Sequence, residues 1–113
     1  MNRVSLPYEI EDIINSVIFK VNECVSISKV YLFGSYYKGT NTIDSDIDLA
    51  FFIKSNEILL DAHRKIIKIT SKYPIDIQPQ IFYDNEIDEK IGIVGEILEN
   101  GGEISIEQGN YMG

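Results

Sequence analysis

The chain has 113 residues and carries 18 Asp and Glu against 10 Lys and Arg, a formal charge of -8 at pH 7. That balance argues against nonspecific grip on DNA or RNA, where a basic face supplies most of the affinity, and is compatible with a divalent cation or a basic protein partner. Apolar residues make up 44% and charged residues 25%, the composition of a globular chain long enough for one domain with its own core.

In chain order, Ile10, Ile13, Ile14, Val17, Ile18, Val21 and Val25 recur at three- and four-residue steps. This predicts an amphipathic helix from Pro7 to about Ser26, with Ser5 as its cap and Pro7 near its first turn. Cys24 lies beside the apolar face and reads as a packed thiol. KVYLF, Lys29 to Phe33, reads as a strand stopped by Gly34. Ser35 to Lys38 begins a brief helix ended by Gly39, and TNTIDS is a polar loop. Ile47 to Ile53 is a second strand, with Ile47, Leu49, Phe51 and Ile53 on one face and Asp48, Ala50 and Phe52, preceded by Asp46, on the other.

Ser55 to Lys72 has the apolar stripe Ile58, Leu59, Ala62, Ile66 and Ile69, predicting a second long helix. Ile75 to Phe82 is a third strand, and Pro79, which cannot donate to a ladder, puts it at a sheet edge or a bulge. Asn85 to about Glu99 is a last helix closed by Asn100-Gly101-Gly102, and EISIEQ adds a short strand. The last few residues are expected to be disordered. The fold class is α/β (α+β): one domain over residues 1–113, with a small mixed sheet flanked by helices. One cysteine allows no internal disulfide, pointing to a reducing cytoplasm. No apolar run is long enough to cross a bilayer, and MNRVSLPYEIED lacks the order of a signal peptide.

The chemistry concentrates between Phe33 and Asp76. Side chains two apart on a strand share a face, roughly 7 Å apart at the backbone. Asp46 and Asp48 can therefore converge on one or two hard divalent cations such as Mg²⁺, which take oxygen ligands and leave positions for phosphates. A third carboxylate from a neighbouring strand completes a two-metal site, and Asp76 is the only acidic residue inside the third strand. Gly34-Ser35, where a strand turns into a helix, lets phosphate oxygens approach the backbone. Singly these features are commonplace, since turns are full of Gly and Ser and acidic strand edges are solvated. Their order along the chain is what carries information. The remaining polar residues read plainly: Asp44 as solvated, Tyr36 and Tyr37 as packing around the short helix, His63 as a surface histidine.

GSYYKGTNTIDSDID, with ten residues between Ser35 and Asp46, resembles the Gly-Ser, Asp-x-Asp signature of the nucleotidyltransferase superfamily of the DNA polymerase β type. The short chain and the flanking helices resemble its minimal nucleotidyltransferases, often the antitoxin half of modules whose toxin is a helical HEPN ribonuclease. The resemblance implies that Gly34 and Ser35 hold a triphosphate, with Lys38 in a position where many relatives have Arg. Lys meets phosphate as a point charge without Arg's bidentate fork. It implies that Asp46, Asp48 and Asp76 are the metal ligands and catalytic carboxylates, Asp76 also serving as base. The implied activity is Mg-dependent transfer of AMP from ATP, with two Mg²⁺ ions, to a tyrosine hydroxyl of the partner toxin, in a type VII-like toxin–antitoxin module. Because 113 residues barely cover such a core, a HEPN-family toxin bound as a hetero-oligomer would bring the acceptor, with no direct nucleic-acid or membrane contact. Two alternatives stay open: an antitoxin that neutralises by binding alone, and a subunit that modifies a small molecule.

Overall fold

The computed structural model describes residues 6–106. The expectations for Ser5 and for the last residues of the tail lie outside these. The elements are α1 (Tyr8–Cys24), β1 (Ile27–Phe33), α2 (Gly34–Lys38), β2 (Ile47–Ile53), α3 (Leu59–Thr70), β3 (Ile77–Tyr83), a 3-10 turn (Asp84–Asp88), α4 (Gly92–Asn100) and β4 (Gly102–Ile104). The strands form one mixed sheet in the order β3-β2-β1-β4. β1 pairs antiparallel with both β2 and β4, and β2 pairs parallel with β3, the return that α3 spans. The α+β class and the mixed sheet between helices are as the pattern of elements predicts.

Strand alternation divides the apolar residues between two layers. Val30, Leu32, Ile47, Leu49, Phe51 and Ile53 meet the buried stripes of α1 (Ile14, Val17, Ile18, Val21) and α3 (Ala62, Ile66) in the main core. The opposite face holds a smaller cluster of Ala50, Phe52, Val94 and Ile97 under α4. There Phe52 stacks on Phe82 at 5.4 Å and meets Tyr31 edge-on at 5.8 Å. β2 lies between two strands and is covered on both faces over Ala50 to Ile53. Only its first residues are free of this second cover. No helix among the described residues is long and apolar enough to cross a membrane.

The departures from expectation have local causes. β1 starts at Ile27 because Ile27 pairs with Ile53 across an irregularity in the ladder. α3 starts at Leu59 rather than Ser55. Glu57 is held as acceptor for the Ser26 N–H at 2.6 Å, and Ile58 is extended. β3 starts at Ile77, so Asp76 precedes the strand, and Pro79 stands in an edge strand as its missing donor requires. The last helix is broken into the 3-10 turn and α4 by left-handed backbone at Lys90 (φ 53) and Gly92 (φ 60). β4 begins at Gly102, one residue before the expected strand, where Gly102 lies opposite Leu32. Cys24 is exposed, not packed; it falls outside the buried stripe, with its thiol 3.8 Å from the Lys20 carbonyl.

Phe51 is fully buried in the main core. Phe51→Ala is expected to cost about 3–5 kcal/mol, a large part of a total stability of about 5–15 kcal/mol. Urea unfolding followed by circular dichroism checks this; an unchanged midpoint would mean that the core does not depend on this layer.

Candidate active site

The site is built where β1 ends and β2 begins, two points that the antiparallel ladder brings together. Phe33 lies opposite Asp48 in the register, and the next residue, Gly34, turns the chain into α2. Gly34 adopts φ +75, and a Cβ built on it would lie 2.9 Å from Asp48 Cγ and overlap the carboxylate. Glycine is thus required twice at this position, for its backbone and for the space the Asp48 side chain occupies. Ser35 follows in the first turn of α2. Lys38 ends the helix, and Gly39 closes it in the left-handed conformation.

Asp46 and Asp48 share the face opposite Ile47 and Leu49, and both are half-buried. Burial, and secondarily the charge of Asp46, push the Asp48 carboxyl above its ordinary range. Two half-buried like charges beside a glycine are a donor set that fits a hard divalent cation, which would relieve both costs. Asp76 is exposed, immediately before β3, and its carbonyl accepts the Ile47 N–H at 2.9 Å. Its backbone therefore flanks the start of β2. Its carboxylate does not join the other two: among the described residues no three His, Cys, Asp or Glu side chains are grouped closely enough to hold a metal.

The other singled-out residues fall into place around this. Tyr36 is buried in the main core, and Tyr37 packs over Gly102, where a Cβ would lie 2.9 Å from the Tyr37 Cζ. Asp44 is exposed, its N–H reaching Thr42 Oγ1 at 3.3 Å. His63 is exposed on α3, the helix on the face away from Asp48. Sequence reasoning did not single out α4 residues beside Gly34, namely Ile93, Glu96, Ile97 and Asn100. The signal available was their i, i+3, i+4, i+7 spacing, which puts two apolar and two polar side chains on one side of a helix.

An acidic pair at the start of a central strand thus lies against a glycine turn at a strand–helix junction in an α+β domain. Residues 10–100 match the family model described as the nucleotidyltransferase domain, and the chain belongs to that family. Over 82 residues it is 37% identical to a protein of Methanocaldococcus jannaschii named "putative protein adenylyltransferase", an alignment covering 69% of this chain and 79% of that one. The solved structure titled as a "putative nucleotidyltransferase" from Sulfolobus solfataricus superposes with a TM-score of 0.58 at 19% identity. It covers 72% of this chain and 73% of its own, a likeness of fold.

Two substitutions probe the geometry. Gly34→Ala introduces both a left-handed alanine, costing about 1–2 kcal/mol, and a methyl group in the Asp48 carboxylate's place; it should lower the thermal unfolding midpoint, and an unchanged midpoint would mean that the turn tolerates a side chain there. Asp48→Asn should raise the melting temperature of the cation-free protein at neutral pH. A carboxyl whose folded pKa is raised costs stability once pH exceeds its unfolded value, and the cost is complete above the folded one. The gain should therefore vanish near about pH 3, below the ordinary aspartate value of about 3.9. Thermal unfolding at both pH values checks it; a gain of equal size at both would assign the effect to packing instead of charge.

Proposed function

We propose that this nucleotidyltransferase transfers AMP from ATP to a hydroxyl of a partner protein, and that the partner is a HEPN-type ribonuclease toxin which the transfer neutralises. The observation that carries the reading is the half-buried Asp46–Asp48 pair set against the left-handed Gly34. The protein-modifying role is supported by the relative named as a protein adenylyltransferase. The acidity of the chain, -8 overall, suits a basic RNA-cleaving partner. The complex would be a hetero-oligomer, with a tyrosine hydroxyl near the toxin's ribonuclease site as acceptor. AMP added there brings bulk and negative charge where RNA must bind.

In this mechanism Asp46 and Asp48 would hold the divalent cations, two Mg²⁺ by preference, and Asp76 would serve as third ligand. Bound Mg²⁺ would supply charge neutralisation at the phosphates. Gly34 and Ser35 receive the triphosphate through backbone N–H groups and the Ser35 hydroxyl, and Lys38 adds a positive charge. The acceptor oxygen attacks the α-phosphorus, the bond from that phosphorus to the bridging oxygen breaks, and pyrophosphate leaves. The acceptor's proton passes to the Asp76 carboxylate. Positioning and electrostatics carry most of the rate, as is general for phosphoryl transfer.

The test incubates labelled ATP, Mg²⁺ and the co-encoded helical partner with the wild type or with Asp46→Ala/Asp48→Ala. The wild type should add an AMP-sized mass to the partner, and the variant should be slower by at least about 100-fold. Neutralisation of the partner by both forms without any mass added would replace transfer with simple binding.

A further inference from the structure

The face of the sheet that carries Asp48 also carries an open cavity of about 220 Å³ between the end of β1, α2 and one side of α4. Gly34 is shared: it lines this cavity and lies against the Asp48 carboxylate. The volume is below the roughly 300–1,000 Å³ of clefts that take drug-sized molecules. It suits a flat ring system, not a whole nucleotide. Phe33, Ile93 and Ile97 supply apolar walls, and Asn100 and Glu96 supply polar atoms at the rim. No hydrogen bond or ion pair engages the side chains of Glu96 or Asn100 among the described residues, so their polar atoms are available to a ligand.

We propose that this cavity receives the purine base of the nucleotide, and that Asn100 and Glu96 read its amine-bearing edge. The inference rests on the transfer reading above and adds the base site to it. An amide presents a donor and an acceptor side by side, the complement of adenine's exocyclic amine and adjacent ring nitrogen. The Glu96 carboxylate, an acceptor only, takes the amine's second hydrogen. Glu96 opposes guanine on that edge, because the O6 oxygen would face its acceptor oxygens and leave both unpaired, whereas the Asn100 amide can turn over to donate to O6. The ribose then crosses Gly34, which has no side chain to obstruct it, and the triphosphate reaches Asp46 and Asp48. Lys38, at the other rim of the cavity, stands on the path between base and phosphates.

The test separates the base from the phosphates by using two probes, Mg-ATP and Mg-tripolyphosphate, in calorimetric titrations. Ile93 is 49% exposed and Asn100 is exposed at the end of α4, so changes at either leave the core intact. Ile93→Trp fills the cavity and should weaken Mg-ATP at least about tenfold while Mg-tripolyphosphate binds as in the wild type. Asn100→Ala removes two hydrogen bonds to the base and should weaken Mg-ATP at least about fivefold. Unaltered tripolyphosphate binding also reports that each variant is folded. If both variants bind ATP as the wild type does, while Asp46→Ala/Asp48→Ala binds neither probe, the cavity is not the base site and the transfer reading survives. If the wild type binds neither probe, both readings fall together.

Discussion

The contact between the Asp48 carboxylate and the bare backbone of Gly34 is the constraint on which the rest of the site depends. A carboxylate pressed against a strand–helix turn, with a second carboxylate two residues away, is unfavourable on its own: burial and like charge both oppose its ionisation. The fold sustains it because β2 is gripped on both sides, by β1 and by β3, and its remaining residues are buried without exception from Leu49 to Ile53. The apolar length of the strand thus holds its acidic start in a position that the acidic residues themselves would not favour. Such a cost at a functional position, compensated by packing elsewhere, is common in binding sites.

The two faces of the sheet divide the labour. α1 and α3 cover one face with a continuous apolar layer, the larger of the two cores. α4 covers the other face only partly, through Val94 and Ile97 over Ala50 and Phe52. The part of that face left open is the end bearing Asp46, Asp48 and Gly34. The cavity there is bounded on one side by α4, the helix that the left-handed residues Lys90 and Gly92 separate from the 3-10 turn before it. A single break in the backbone therefore sets where α4 sits and how much of the face remains uncovered.

The sequence was most legible where periodicity and chemistry coincided. Alternation over IDLAFFI predicted both the limits of β2 and the side of the sheet on which Asp48 lies, because a buried strand admits one register. Gly34, Gly39 and Pro79 each occupy the place their backbone chemistry demands. Legibility failed where tertiary contacts overrode local preference. Nothing local shows that Glu57 serves the Ser26 N–H 31 residues away, so periodicity puts the start of α3 four residues too early. Lys90 in the left-handed region has no residue-type signature, so the break before α4, and the cavity beside it, stayed hidden. Asp76 precedes the strand that alternation assigns it to, and its carboxylate stands apart from the Asp46–Asp48 pair although its backbone flanks the start of β2.

The central proposal is that Asp46 and Asp48 would hold a divalent cation for the phosphates of a nucleotide. Crystals grown with Mn²⁺ and a non-hydrolysable ATP analogue test it most directly, through the anomalous signal of the metal. The account predicts a peak bridging the two carboxylates and the phosphate oxygens, with the Asp76 side chain drawn toward it. A bound nucleotide whose metal lies elsewhere, with Asp46 and Asp48 still facing solvent, would contradict it.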